Sequence, residues 1–180
     1  MDFLRKKLDH IRYWIVNEET KIHLSERNSN LIVFDYLCGM SVAVVILNYN
    51  GRKFLADFLP IVLENTQDAA IYVADNGSSD DSLALLAANF PNVSVLSWAE
   101  NLGYAGGYNF ALGQIKADYF VLMNSDIAPR KNWLQPLVAY FEANPLVAAA
   151  QPFLLDYQKP EYFENSFILC RGPCVFLLLQ

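Results

Sequence analysis

Val42-Ala-Val-Val-Ile-Leu47 is an unbroken apolar run closed by the polar turn Asn48-Tyr-Asn-Gly51, and it constrains the fold more than any other feature. A strand that is apolar at consecutive positions must be buried on both faces, which in practice means the interior of a parallel sheet with helices packed above and below. The pattern then repeats. Residues 52 to 65 carry Phe54, Leu55, Phe58, Leu59 and Val62 at helical intervals, and Ala70 to Ala74 forms a second short apolar run. A helix rich in Ala and Leu is expected from Asp81 to Asn89, stopped by Pro91, whose ring and missing N–H cannot continue the ladder. A third strand is expected from Val93 to Ser97, then a helical stretch to Lys116 and a fourth strand from Tyr119 to Met123. A further helix from about Trp133 to Glu142 leads to a fifth apolar segment around Leu146 to Ala150. Short strands alternating with longer helices predict an α/β fold with right-handed crossovers.

With 180 residues, 54% of them hydrophobic, the chain can bury one good core with an appendage. A formal net charge of −6 disfavours binding to nucleic acid, which needs clustered cations to replace condensed counterions. Cys38, Cys170 and Cys174 are odd in number and form neither a disulfide framework nor a two-plus-two zinc pattern, so reduced thiols are expected. The first residues lack the apolar core and small cleavage-site residues of a secretory signal. Residues 1 to 39 read as a leader. Phe3, Leu4, Leu8, Ile11, Trp14 and Ile15 recur near helical spacing with Arg5, Lys6, Lys7 and Arg12 between them, which suits peripheral contact with an anionic membrane, a docking helix or a disordered leader. Residues 158 to 180 read as an irregular tail with no evident burial partner for its apolar end.

Every unusual polar residue falls at the carboxyl end of a predicted strand. Ligands of open parallel sheets bind beyond those ends, because loops and helix N-termini converge there. Asn48 and Asn50 follow the first strand, and Asp75-Asn76-Gly-Ser-Ser-Asp80 follows the second. Asp75 suits a hydrogen-bond acceptor for a base or ribose, with Ser78, Ser79 and Asp80 capping the next helix. Asn101-Leu-Gly-Tyr-Ala-Gly-Gly-Tyr-Asn109 follows the third strand. Its three glycines at a helix entrance cost backbone entropy, which either close approach by a ligand or tight helix-to-sheet packing would explain. The spacing and position are not those of a dinucleotide-binding turn. Asn124-Ser-Asp126 follows the fourth strand, where an exposed carboxylate suits a hard divalent cation that also touches phosphate oxygens. A phosphoacceptor signalling domain would need acids at the end of the first strand, where this chain has Asn48-Tyr49-Asn50.

Val45-Ile-Leu-Asn-Tyr-Asn-Gly51, Val73-Ala-Asp-Asn-Gly-Ser-Ser-Asp80, Asn101 to Asn109 and Leu122-Met-Asn-Ser-Asp-Ile127 together resemble, in order and spacing, the family 2 glycosyltransferases and their rhamnosyltransferase-like branch. The resemblance covers about Ser41 to Tyr157. It implies a GT-A fold holding a nucleoside diphosphate sugar across the strand ends, with a divalent metal, Mg or Mn, bridging its phosphates. By motif position, Asn48 and Asn50 border the nucleotide, Asp75 contacts base or ribose, and Asn101, Gly103 and Gly106 shape the wall beside ribose and sugar. Asn76 and Asn124 complete the donor-binding set, and Asp126 is the metal ligand of an acidic element whose first position is Asn124. The implied reaction is an inverting transfer to a glycan or lipid-linked acceptor at the cytoplasmic face of the membrane, with dTDP-rhamnose the leading donor. The family's acceptor half, which supplies the catalytic base, is expected after the fifth strand. The tail does not read like that half and suggests a truncation or a changed frame. Two readings follow from the sequence: a glycosyltransferase, or a non-catalytic nucleotide-binding fragment or interaction module.

Overall fold

The structure, a computed structural model, describes residues 12–14, 41–152, 154–155, 157, 163–165, 169–171 and 176–179. Its strands are β1 (Arg12–Trp14), β2 (Val42–Asn48), β3 (Ala70–Asn76), β4 (Ser94–Trp98), β5 (Tyr119–Asn124), β6 (Val147–Ala150), β7 (Leu154–Leu155), β8 (Phe163–Asn165), β9 (Leu169–Arg171) and β10 (Phe176–Leu179). The helices are α1 (Arg52–Asn65), α2 (Ser82–Asn89), α3 (Gly103–Leu112) and α4 (Leu134–Ala143). Eight strands make one sheet in the order β1-β9-β6-β10-β5-β2-β3-β4, and β7 pairs with β8 in a separate ribbon. Five of the sheet's seven pairings are parallel; those of β9 with β6 and with β1 are antiparallel. The expected mostly parallel α/β sheet is the one observed.

β2 lies at the centre because its sequence allows nothing else. Val42, Val44 and Ile46 face one helix layer and pack with Leu55, Leu59 and Val62 of α1, Leu86 of α2, and Leu134, Val138 and Phe141 of α4. Ala43 and Val45 face the opposite layer with Tyr108, Ala111 and Leu112 of α3 and with Ile115. This is the period-two alternation of a strand covered on both faces. In α1 the buried Leu55, Leu59 and Val62 follow four-and-three spacing, which leaves Phe54 half exposed on the outer side. The Tyr108 hydroxyl donates to the Met123 carbonyl at 2.9 Å and ties α3 to the last turn of β5.

Three expectations are corrected here. The stretch from Asn101 to Asn109 is not a turn before a helix: α3 already begins at Gly103 and ends at Leu112, short of Lys116. The apolar end of the chain does have partners, since β10 lies between β5 and β6 and β9 pairs with β6. Helical spacing within residues 3 to 15 is contradicted at Arg12–Trp14, a strand on β9; the rest of that segment, with Cys38 and Cys174, lies outside the described residues. No helix among the described residues is long and apolar enough to cross a membrane.

Candidate functional site

From β2 the chain moves outward to β3 and β4, then returns to the other side of β2 to form β5. This reversal makes the carboxyl ends of β2 and β5 a topological switch point, where open α/β sheets form the crevice that receives their ligands. The pairing register brings the predicted residues to it: Asn48 stands beside Asp75, and Leu47 beside Asn124. One sheet edge therefore carries Asn48, Asn50, Asp75, Asn76, Asn101, Gly103, Asn124 and Asp126.

These residues divide into a buried frame and an exposed rim. Asp75 is 1% exposed. Its Oδ1 accepts from Asn48 Nδ2 at 2.8 Å and from the Ser78 hydroxyl at 2.6 Å, and its Oδ2 accepts from the Ser78 amide at 3.0 Å. The carboxylate thus fastens the β2 turn to the β3 turn. Asn50 adopts a φ of +51°, a left-handed geometry that Asn tolerates better than most residues, and its side-chain oxygen accepts from the amides of Ser79 (2.7 Å) and Asp80 (3.3 Å). In return, the Asn50 amide donates to Ser78 Oγ at 2.9 Å.

Of the three residues expected to cap α2, only Asp80 reaches a helix amide. Its Oδ1 accepts from Ser82 N and its Oδ2 from Arg52 N, each at 3.0 Å, so one carboxylate serves the first amides of both α2 and α1. Burial pushes the Asp80 pKa up, but the adjacent Ser82 hydroxyl, the amides of Arg52 and Ser82 and the Arg52 charge outweigh it and hold the carboxyl below its ordinary value. A depressed folded-state pKa gives stability that is complete above the ordinary carboxyl range and is lost as pH falls through the lowered value. Asp80→Asn should therefore flatten the loss of stability below about pH 4. Urea unfolding of both proteins from pH 6 to pH 2 checks this; an identical acid limb contradicts it.

Asn76, 2% exposed, spends every polar group within the chain. Its Nδ2 donates to Asn101 Oδ1 (2.9 Å) and the Gly103 carbonyl (3.2 Å), while its Oδ1 accepts from Trp98 Nε1 and the Leu102 amide, both at 2.9 Å. Asn101 Oδ1 also accepts from the Gly103 amide at 2.8 Å. Asn76 is the clasp of the β4–α3 connection.

The glycines of that connection resolve into separate causes. A methyl on Gly107 would stand 2.8 Å from Leu47 Cδ1 and 3.1 Å from Asn76 Nδ2, so Gly107 lets α3 sit tightly on the sheet. A methyl on Gly106 would meet only Leu102 Cβ, at 2.9 Å. Gly103 has a φ of +71° with open space on its outer side, so it is there for backbone conformation at the helix entrance. Close packing thus accounts for Gly107, and the contact with Leu102 constrains Gly106. The Asn-Gly pair at 76–77 signals a positive φ, and Gly77 adopts one, +76°.

On the rim, Asp126 is exposed and makes no hydrogen bond or ion pair among the described residues. Asn124 and Ser125 beside it are half-buried. No group of three or more His, Cys, Asp and Glu side chains among the described residues could cage a metal ion. A lone free carboxylate at the crevice does fit a cation that brings most of its ligands with it, as Mg or Mn bound to a diphosphate does.

The fold and its crevice define a GT-A type α/β domain. Residues 43–172 match the family model described as Glycosyl transferase family 2, and the chain belongs to that family. An uncharacterized glycosyltransferase of Haemophilus influenzae is 26% identical over 117 residues, 63% of this chain and 36% of that protein. The teichoic acid poly(glycerol phosphate) polymerase of Staphylococcus epidermidis is 26% identical over 152 residues, 74% of this chain and 21% of that one. The aligned parts thus span about a third or less of these curated relatives. Among solved structures, S. aureus TarS 1-349 in complex with UDP-GlcNAc superposes with a TM-score of 0.57 at 20% identity, covering 67% of this chain and 36% of that one. The mannosyltransferase PcManGT from Pyrobaculum calidifontis, in complex with GDP-Man and Mn2+, also gives 0.57, at 18% identity, covering 73% and 44%.

Proposed function

We propose that this chain carries the donor-binding half of an inverting glycosyltransferase, which moves a sugar from a nucleoside diphosphate to a glycan or lipid-linked acceptor. The observation that carries the reading is the free Asp126 carboxylate at the β2/β5 switch point, opposite a turn system held rigid by Asn48, Asn50 and Asp75. The motifs lie within residues 40–157, taken here as the donor domain. Asn50, Asn101, Gly103 and Asn124 border the donor. Asp75 presents the β3 turn to the nucleotide, and Asn48, Asn76 and Gly106 act from behind by fixing that surface. Asp126 holds Mg or Mn, which when bound neutralises charge growing on the diphosphate leaving group.

In the transfer, an acceptor hydroxyl oxygen bonds to the anomeric carbon as the bond from that carbon to the diphosphate oxygen breaks. The hydroxyl proton passes to a general base. This chain's contribution is to hold the diphosphate in line and keep the strand-end loops from relaxing away, the positional part of catalysis. dTDP-rhamnose is the first donor to try, on the strength of the motif wording; UDP and GDP sugars follow from the compounds named in the solved complexes of its neighbours. The setting proposed is the cytoplasmic face of the cell membrane.

Asp126→Ala tests the assignment. Its carboxylate bonds to nothing among the described residues, so the fold should be unchanged, while the affinity that manganese adds to nucleoside diphosphate binding should fall by roughly tenfold or more, about 1.4 kcal/mol. Unchanged metal-dependent affinity in a calorimetric titration refutes it.

A further inference from the structure

Two unpartnered oxygens face each other across Gly51. Asn48 is fully buried, and its Nδ2 donates to Asp75 and Ser78, yet its Oδ1 has no hydrogen-bond partner. A buried amide oxygen left in this way is unfavourable, and native structures seldom tolerate it without a reason. A methyl on Gly51 would stand 2.4 Å from that oxygen and 3.3 Å from Ser125 Oγ, so both oxygens border the same narrow space, one too small for a methyl. The Ser125 hydroxyl likewise makes no hydrogen bond among the described residues. Ser125 is a donor beside an acceptor that lacks one, and it is the residue next to Asp126 in the β5 turn.

We propose that Ser125 is a positioning residue: when Asp126 engages the metal and diphosphate, the β5 turn draws in and the Ser125 hydroxyl donates to Asn48 Oδ1, latching the β5 turn onto the β2 turn across the crevice. Gly51 is required because any larger residue would fill the gap through which the two meet. The latch couples occupancy of the metal-diphosphate subsite to the rigidity of the frame behind the nucleotide. Ligand binding gains whatever the unpaired oxygen costs in the open form. The inference rests on the donor-site reading and goes beyond it by assigning work to a residue that need not touch the donor.

Ser125→Ala and Ser125→Thr are to be compared with the wild type by calorimetry with uridine and with UDP, each with and without manganese, and by amide hydrogen exchange across residues 45–51. Ser125→Ala should lose roughly fivefold of the manganese-dependent UDP affinity while keeping uridine affinity and melting temperature, and Ser125→Thr should restore it. In the wild type, but not in Ser125→Ala, UDP with manganese should slow exchange in that segment. Wild-type behaviour of Ser125→Ala in both readouts overturns the latch alone. Equal losses of uridine and UDP affinity with a lower melting temperature overturn it in favour of a purely structural role. Where the wild type prefers dTDP or GDP, that diphosphate and its nucleoside replace UDP and uridine, and a wild-type chain that binds none of the three with manganese present overturns the donor site and the latch together.

Discussion

Gly77→Ala is expected to destabilise the chain by about 3 kcal/mol, as two independent costs fall on one residue. At a φ of +76° an L-residue other than glycine pays about 1–2 kcal/mol. The added methyl would also stand 2.8 Å from the Glu100 carbonyl carbon and 2.9 Å from the Asn101 amide nitrogen. These are backbone atoms, which cannot swing aside as a side-chain tip can, so overpacking adds about 1–3 kcal/mol. For a domain of this size the sum corresponds to a fall in Tm of about 6–12 °C. Urea and thermal unfolding measure it directly; a change within about 0.5 kcal/mol, ordinary for an inert surface substitution, contradicts the tight approach of the β3 turn to the β4–α3 connection.

Asn76→Ala should cost as much by another route. It removes four hydrogen bonds at once, and two of the groups released, Trp98 Nε1 and the Leu102 amide, lie partly buried where water cannot fully replace the lost acceptor. At about 1 kcal/mol net for each bond the loss is about 3–4 kcal/mol. The β4–α3 connection should loosen with it, and Trp98, whose ring centroid lies 4.8 Å from that of Phe110 in a tilted contact, should report the change in its fluorescence. Asn76→Asp keeps one acceptor but sets its other carboxylate oxygen against two oxygens, Asn101 Oδ1 and the Gly103 carbonyl, in a buried place, so at neutral pH it should destabilise at least as much as Asn76→Ala. Equal stability of Asn76→Ala and wild type, with unaltered Trp98 emission, would show that the clasp does not hold the connection.

The sheet was legible in the sequence where burial alone dictates it. Val42 to Leu47 can be nothing but a doubly covered strand, and the helical spacing of Leu55, Leu59 and Val62 follows from the same core. The edge at which the motifs meet was also legible, because strand-end polar residues in a parallel sheet all fall on one side. What could not be read was the division of labour among them. Asp75, Asn76 and Asn101 are residue types that suit a ligand and a turn equally well. Only the three-dimensional pairing reveals that Asp75 and Asn76 are spent on Asn48, Ser78, Trp98 and Leu102. The entry of α3 at Gly103 was hidden for a related reason: glycines lower helix propensity, and close packing of Gly107 on Leu47 overrides it. The partners of β9 and β10 are long-range, and no local pattern announces pairings of that kind.

Titration calorimetry of the folded wild-type chain with UDP, dTDP and GDP, each with and without manganese, tests the donor-site reading most directly. The account predicts that at least one of the three binds and that manganese tightens it. Absence of binding by all three at millimolar concentration, with the metal present and the fold intact, would contradict it.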